Sequence, residues 1–182
     1  MPMHLLLAML RNPATTGALL PSSRALATAM ARAAEGADTV IELGAGTGSV
    51  TGALLGMLPG VPLICVEWQP ALAARLRHRY PQADVRHASA KQVVDELGDL
   101  PGRVVVVSSL PFRSLPVPVA SETAHSLCRF LTRGRERKLV QFTYQPREPF
   151  PAPRQLCWRR TSVVWRNAPP AGIWELRLGG PN

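Results

Sequence analysis

Val40-Ile41-Glu42-Leu43-Gly44-Ala45-Gly46-Thr47-Gly48 decides how the rest of this chain is read. The apolar run Thr39 to Leu43 is a strand candidate, and Gly48 to Met57 is a helix candidate. Between them, glycines stand at every second position. Glycine lets a backbone turn sharply and approach a ligand without a Cβ in the way. The loop leads into a helix start, whose free N–H groups face the same ligand. The spacing is G-x-G-x-G rather than G-x-G-x-x-G, and Glu42 stands two residues before the first glycine. A carboxylate there opposes a pyrophosphate and suits a ligand that carries an ammonium group.

Outward from this loop the chain alternates. Pro62 to Val66 is a second strand, ending in Glu67-Trp68. Glu67 lies 19 residues beyond Gly48 (67 minus 48), close to the ~20-residue spacing of an acid that binds ribose hydroxyls. Trp68 offers an apolar face to a base. Ala71 to Arg79 is a helix, Asp84 to His87 a third strand, and Lys91 to Leu97 a helix. Arg103 to Ser108 contains four successive valines, as a parallel strand covered on both faces requires. Ala120, Ala124, Leu127, Cys128 and Leu131 recur at helical spacing. Lys138 to Thr143 is a fifth strand. Leu156 to Arg166 and Ile173 to Leu178 flank Asn167-Ala168-Pro169-Pro170-Ala171 and predict a terminal antiparallel pair. The pattern predicts a doubly wound, Rossmann-like α/β fold with a seven-stranded sheet, the chemistry lying at the carboxyl ends of the first and fourth strands.

The 182 residues, 46% hydrophobic, suit one domain spanning 1–182. A net charge of +9 points to an anionic partner, nucleic acid or an acidic membrane surface. Cys65, Cys128 and Cys157 form no C-x-x-C pair, which is expected of reduced thiols in a cytosolic protein. The four histidines share no ligand spacing, so no metal is expected. No apolar run approaches the ~20 residues of a membrane-spanning helix. Met3 to Leu10 is a short apolar helix candidate that Arg11-Asn12-Pro13 stops, and no signal peptide is expected. Pro13 to Pro21 reads as a loop. A helix follows with Ser22 or Ser23 as its cap, Leu26 and Met30 on one face, and Gly36 just past its end.

Strand, glycine loop, helix, strand and terminal acid together resemble the class I methyltransferase family, whose cofactor is S-adenosylmethionine. The resemblance implies that Gly44, Gly46 and Gly48 carry the backbone against the cofactor. Glu42 then faces its methionine ammonium side, Glu67 its ribose and Trp68 its adenine. Ser89 and Ala90, in His87-Ala88-Ser89-Ala90, stand where an Asp of that family contacts the adenine amino group. Ser108 closes the site at the end of the fourth strand. Ser109-Leu110-Pro111-Phe112 is similar to the N-L-P-Y/F loop of enzymes that methylate nitrogen, without the Asn.

Four blocks resemble bacterial phospholipid N-methyltransferases: Thr16 to Ala27, Ser108 to Phe112, Gln141-Phe142-Thr143-Tyr144, and Asn167 to Ala171. That resemblance implies stepwise methylation of phosphatidylethanolamine toward phosphatidylcholine. Ser109 and the Tyr144 hydroxyl would orient the amine and take its proton, and Phe112 and Tyr144 would face the methylated cation. Residues 1–36 would form a helical segment that faces the membrane or covers the active site. Arg133, Arg135, Arg137 and Lys138 would face anionic headgroups. The expectation is a cytoplasmic protein, peripheral on the inner membrane surface, with a phospholipid substrate and no evident protein partner. Two rival readings are an RNA adenine-N6 methyltransferase and a non-catalytic module that binds lipid or RNA. The missing Asn and the lack of an added RNA-binding domain weigh against the first. The intact Glu42, glycines and Glu67 weigh against the second.

Overall fold

Seven strands form one sheet in the order β3-β2-β1-β4-β5-β7-β6. They are β1 (Thr39–Leu43), β2 (Leu63–Glu67), β3 (Asp84–His87), β4 (Val104–Ser108), β5 (Lys138–Thr143), β6 (Leu156–Val164) and β7 (Ala171–Leu178). The computed structural model describes residues 23–179. The helix and loop expected within residues 3–21, and most of the Thr16 to Ala27 block, lie outside them. Strands β1 to β5 are parallel, and β7 runs antiparallel to both β5 and β6. The order reverses between β1 and β4, where Glu42 lies beside Val107 and Leu43 beside Ser108. The crevice of such a sheet opens at that reversal.

Five helices cover the sheet: α1 (Arg24–Arg32), α2 (Ser49–Met57), α3 (Pro70–Arg79), α4 (Ala90–Glu96) and α5 (Val117–Thr132). They divide the core into two layers. Val105 and Val107 join Leu26, Met30, Leu54 and Leu76 in one layer, and Val104 and Val106 join Leu127 and Leu131 in the other. The four valines are therefore consecutive because successive side chains point to opposite faces and both faces are covered. Fully burying such a side chain contributes roughly 1.5–3 kcal/mol. The edge strand β6 instead alternates, with Leu156 and Trp158 buried and their neighbours exposed.

The observed bounds of several elements depart from the expected ones, for local reasons. Helix α5 starts at Val117, three residues before the apolar periodicity begins, because Pro116 and Pro118 fall where helical N–H groups have no partner. β7 begins at Ala171, within the expected turn. The turn itself is tied down by Asn167, which accepts from the Ser23 N–H at 3.3 Å and donates to the Pro169 carbonyl at 2.7 Å. Ser23 also caps α1, its hydroxyl accepting from the Leu26 N–H.

The basic cluster expected to face headgroups is divided. Arg137 is buried and donates to the carbonyls of Gly98, Phe130 and Leu100 at 2.8–2.9 Å, with its guanidinium 4.3 Å from the Phe130 ring centre. Lys138 pairs with Glu175. Arg133 and Arg135 remain exposed, Arg133 near Asp99. Arg137 is thus a clamp between α4, α5 and β5, and it does not contribute to a surface cluster.

Candidate active site

At the carboxyl end of β1 the chain turns through Gly44, Ala45 and Gly46 into α2. The Gly44 N–H donates to the Val66 carbonyl and the Gly48 N–H to the Ala45 carbonyl. Glu67, at the end of β2, fixes the loop from the side: one carboxylate oxygen accepts from the Gly46 N–H and the other from the Gln69 N–H, both at 2.8 Å. This carboxylate is buried and lines the crevice.

A cavity of about 350 Å³ lies above this loop, within the roughly 300–1,000 Å³ of small-molecule sites. The structure brings Gly44, Gly46, Glu67, Trp68, Ser89, Ala90 and Ser109 together in its wall. A Cβ placed on Gly46, whose φ is +56°, would meet nothing nearer than the Gly44 carbonyl at 3.9 Å. The space over Gly46 is open on the ligand side. A flat apolar slot beside Trp68, an acid at the strand end and a glycine backbone without Cβ atoms fit an adenosine-bearing cofactor.

Three expected contacts take other roles. Gly48 does not line the cavity. Its φ is +84°, and a Cβ there would lie 2.6 Å from the Tyr80 ring, whose hydroxyl donates to the Gly48 carbonyl at 2.9 Å. Gly48 is needed for close packing of α2 on Tyr80. Ser108 is fully buried, and its hydroxyl accepts from the Leu110 N–H at 3.3 Å, bending the loop after β4. Ser89 lines the cavity, but its hydroxyl already caps α4 by accepting from the Gln92 N–H at 3.2 Å.

Glu42 lies beneath the loop and is fully buried. One oxygen accepts from the Thr51 hydroxyl at 2.7 Å and from the Cys65 thiol at 3.3 Å, and the other has no partner among the described residues. Burial pushes its carboxyl up to about 7, and the Thr51 and Cys65 hydrogen bonds offset part of that rise. Burial likewise pushes the Cys65 thiol upward. Glu42 does not line the cavity, and its unpartnered oxygen is a fully buried acceptor.

A second cavity, of about 270 Å³, adjoins the first through Ser109, Leu110 and Pro111, which line both. Tyr144 and Gln141 belong to its wall. The Ser109 N–H donates to the Leu43 carbonyl at 2.9 Å, so this loop is anchored to the end of β1. Phe112 edges the cavity but is buried, its ring centre 4.6 Å from that of Phe150. Its main contact is core packing beneath the loop, whereas Tyr144 is half-exposed.

Sequence reasoning missed four contributors. Leu110 separates the two cavities and comes within 3.1 Å of where a Gly44 Cβ would stand. Glu122 and Thr123 reach the first cavity from α5. Gln141 is buried in β5, its amide nitrogen donating to the Leu110 and Phe142 carbonyls and its amide oxygen without a partner among the described residues. A lone amide within Leu139-Val140-Gln141-Phe142 was the available signal for it. Leu110 stands inside the Ser109-Leu110-Pro111-Phe112 loop but had no role of its own in that reading, and Glu122 and Thr123 depend on contacts across the fold that no local pattern carries.

No protein-family model matches the sequence, and no curated protein matches it. Solved structures do resemble the fold. The mitomycin 7-O-methyltransferase MmcR aligns with TM-score 0.59 at 16% identity, covering 85% of this chain and 54% of its own. This chain therefore spans about half the length of that enzyme. TrmN from Thermus thermophilus aligns with TM-score 0.56 at 16% identity, covering 93% of this chain and 52% of its own. A methyltransferase-like protein from Escherichia coli, yhhF, aligns with TM-score 0.61 at 14% identity, over 87% of this chain and 88% of its own. The strand order and these likenesses show the class I methyltransferase fold.

Proposed function

We propose that this chain is an S-adenosylmethionine-dependent N-methyltransferase that acts on the amine of phosphatidylethanolamine and its methylated intermediates. The observation that carries the reading is the meeting of two cavities at Ser109-Leu110-Pro111, one over the glycine loop and Glu67, the other lined by Tyr144 and Gln141. The lipid part rests on the four sequence blocks and on where the charge lies. Residues 101–182 hold thirteen basic and four acidic residues, whereas residues 1–100 hold eight of each. The first cavity is built mainly from the neutral part. The whole excess of +9 lies in the part that supplies the second cavity, and an acceptor with a negative charge explains that asymmetry.

The cofactor supplies a methyl group activated by its sulfonium centre. Glu67 would hold the ribose hydroxyls while keeping the loop in place through the Gly46 N–H, and Trp68 would cover the base. Leu110, which lines both cavities, would flank the passage between the two reactants and shield it from water. A free lipid amine, like a lysine amine of pKa near ~10.4, is largely protonated at neutral pH. The Ser109 hydroxyl and the Tyr144 hydroxyl would accept from its N–H groups. They would orient the nitrogen, and a basic surrounding lowers its pKa.

Incubation with methyl-labelled cofactor and either mixed phospholipid vesicles or total RNA tests the reading. The expected result is label in mono- and dimethylated ethanolamine lipids and none in RNA. Label in RNA alone would make it an RNA methyltransferase. Glu67→Gln, which keeps one acceptor for the backbone N–H groups, should weaken cofactor binding about tenfold or more by calorimetry. Unchanged affinity would remove Glu67 from the cofactor site.

A further inference from the structure

A third cavity, a groove of about 1,360 Å³, runs between α5 and the segment 147–155 that joins β5 to β6. Its walls are largely apolar, with Leu115, Ala120, Ala124 and Cys128 on one side and Pro149 and Phe150 on the other. Val117, 80% exposed, lies at its edge. The groove and the acceptor cavity share Phe112, Arg113 and Pro149 in their walls, so the two spaces adjoin.

Arg113 stands at this junction, and Arg147 lines the groove. Both are exposed, and neither forms an ion pair among the described residues. Arg113 donates to the Glu148 carbonyl at 2.6 Å, and the Arg147 Nε donates to the Gln145 side-chain oxygen at 2.8 Å. Burial, and then the charge of Arg147, pushes Arg113 below the usual arginine range. The Glu148 side chain also lines the groove and is exposed. Arg129 lines it too but is paired with Asp95.

We propose that Arg113 and Arg147 anchor the phosphodiester of a membrane phospholipid, whose amine enters the acceptor cavity and whose hydrocarbon chain lies in the groove along α5. This rests on the reading of the acceptor as a lipid amine. Both arginines line the groove and neither is neutralised by an ion pair among the described residues, so a bound phosphate would supply the missing charge through bidentate hydrogen bonds. In an ethanolamine headgroup the nitrogen and the phosphate are separated by only an ethylene unit. An anchor must then stand at the border of the acceptor cavity, as Arg113 does. The groove beyond suits a chain more than a nucleic acid. Single-stranded RNA is held by exposed aromatic faces; Phe112 and Phe150 in the groove are buried against each other, which leaves the His125 imidazole as the exposed aromatic ring among the described lining residues.

Calorimetric titrations of the full chain test the anchor. The probes are dihexanoyl phosphatidylglycerol, which has no amine, dihexanoyl phosphatidylethanolamine, inorganic phosphate and a single-stranded oligoribonucleotide. The proteins are the wild type, the double variant Arg113→Gln with Arg147→Gln, and Ala120→Phe, which narrows the groove. Circular dichroism and unchanged S-adenosylmethionine affinity verify that each variant folds. Both lipids should bind the wild type at least tenfold more tightly than inorganic phosphate does. The double variant should lose at least tenfold for both lipids, and Ala120→Phe should also weaken both. Lipid affinities unchanged in the double variant overturn the anchor. Oligonucleotide binding that the arginine changes abolish, with no lipid binding, overturns it in favour of an RNA site. Phosphatidylglycerol binding separates this inference from the functional reading. If it needs the two arginines while no lipid amine gains label, the anchor stands and the acceptor reading fails. If lipid amines gain label while the double variant binds both lipids normally, only the anchor fails.

Discussion

Glu42 is the residue whose chemistry departs furthest from its sequence reading. A carboxylate before the glycines was legible as an acid near the cofactor. Its complete burial with Thr51 and Cys65 was not, because Thr51 comes from α2 and Cys65 from β2. The folded chain holds this carboxyl at about 7, above its ordinary value of 4.5. Between those two pH values the folded state keeps a proton that the unfolded state releases. Stability therefore falls as pH rises through the window, and the loss is complete above about 7. Glu42→Gln keeps an oxygen for the Thr51 hydroxyl and cannot ionise, so its stability should not fall across this window on account of residue 42. Relative to the variant, the wild type should lose on the order of 2–3 kcal/mol between pH 4.5 and pH 8. Urea denaturation of both proteins across that range measures the difference in slope, which is insensitive to how the new amide nitrogen is satisfied. Parallel profiles would show that Glu42 titrates in the folded protein as it does in the unfolded chain. Glu67 shows a related gap in the reading. Its position after β2 was legible, but its grip on the Gly46 and Gln69 N–H groups appears only once the loop is folded.

Most elements were legible because the sheet is parallel and buried, so each central strand is a continuous apolar run bounded by turn residues. The bounds of β1, β3 and β5 match those expected from the sequence, and the terminal pair was visible in the alternation from Trp174 to Leu178. What the pattern could not carry was how elements are fastened to one another. Arg137 illustrates this: in sequence it is one of four basic residues within six positions, and in the fold it caps three carbonyls from two other segments. Arg137→Met keeps much of the length and leaves those carbonyls unpaired. It should cost about 2–4 kcal/mol, with Arg137→Lys recovering only part of that, because an ammonium cannot reproduce the planar fork. Arg133→Met, at an exposed position, should stay within about 0.5 kcal/mol of the wild type. Chemical denaturation of the three variants checks the contrast. Equal, small effects at both positions would return Arg137 to the surface cluster.

Across the whole molecule the sheet is divided by charge. The neutral residues 1–100 include β1 to β3, and the basic residues 101–182 include β4 to β7. Three exposed apolar side chains, Val117 and Val119 at the start of α5 and Trp165 just after β6, are joined to strand ends at the carboxyl edge, where the cavities open. A basic body with an apolar rim at its active edge is the arrangement expected of a protein that meets an anionic membrane there. Each arginine or lysine near such a surface contributes about 1 kcal/mol, and the attraction fades beyond a Debye length of about 10 Å at 0.1 M salt. Co-sedimentation should therefore recover more protein on anionic than on zwitterionic vesicles, and raising the salt toward about 1 M, where the Debye length is about 3 Å, should release most of it. The apolar rim acts independently of salt. Trp165→Ala should lower the fraction that stays bound at high salt, and it should leave S-adenosylmethionine affinity unchanged, since Trp165 does not line the cofactor cavity. Equal pelleting on both vesicle types would refute the electrostatic contribution. A Trp165→Ala protein that resists salt as well as the wild type would show that the rim stays in water.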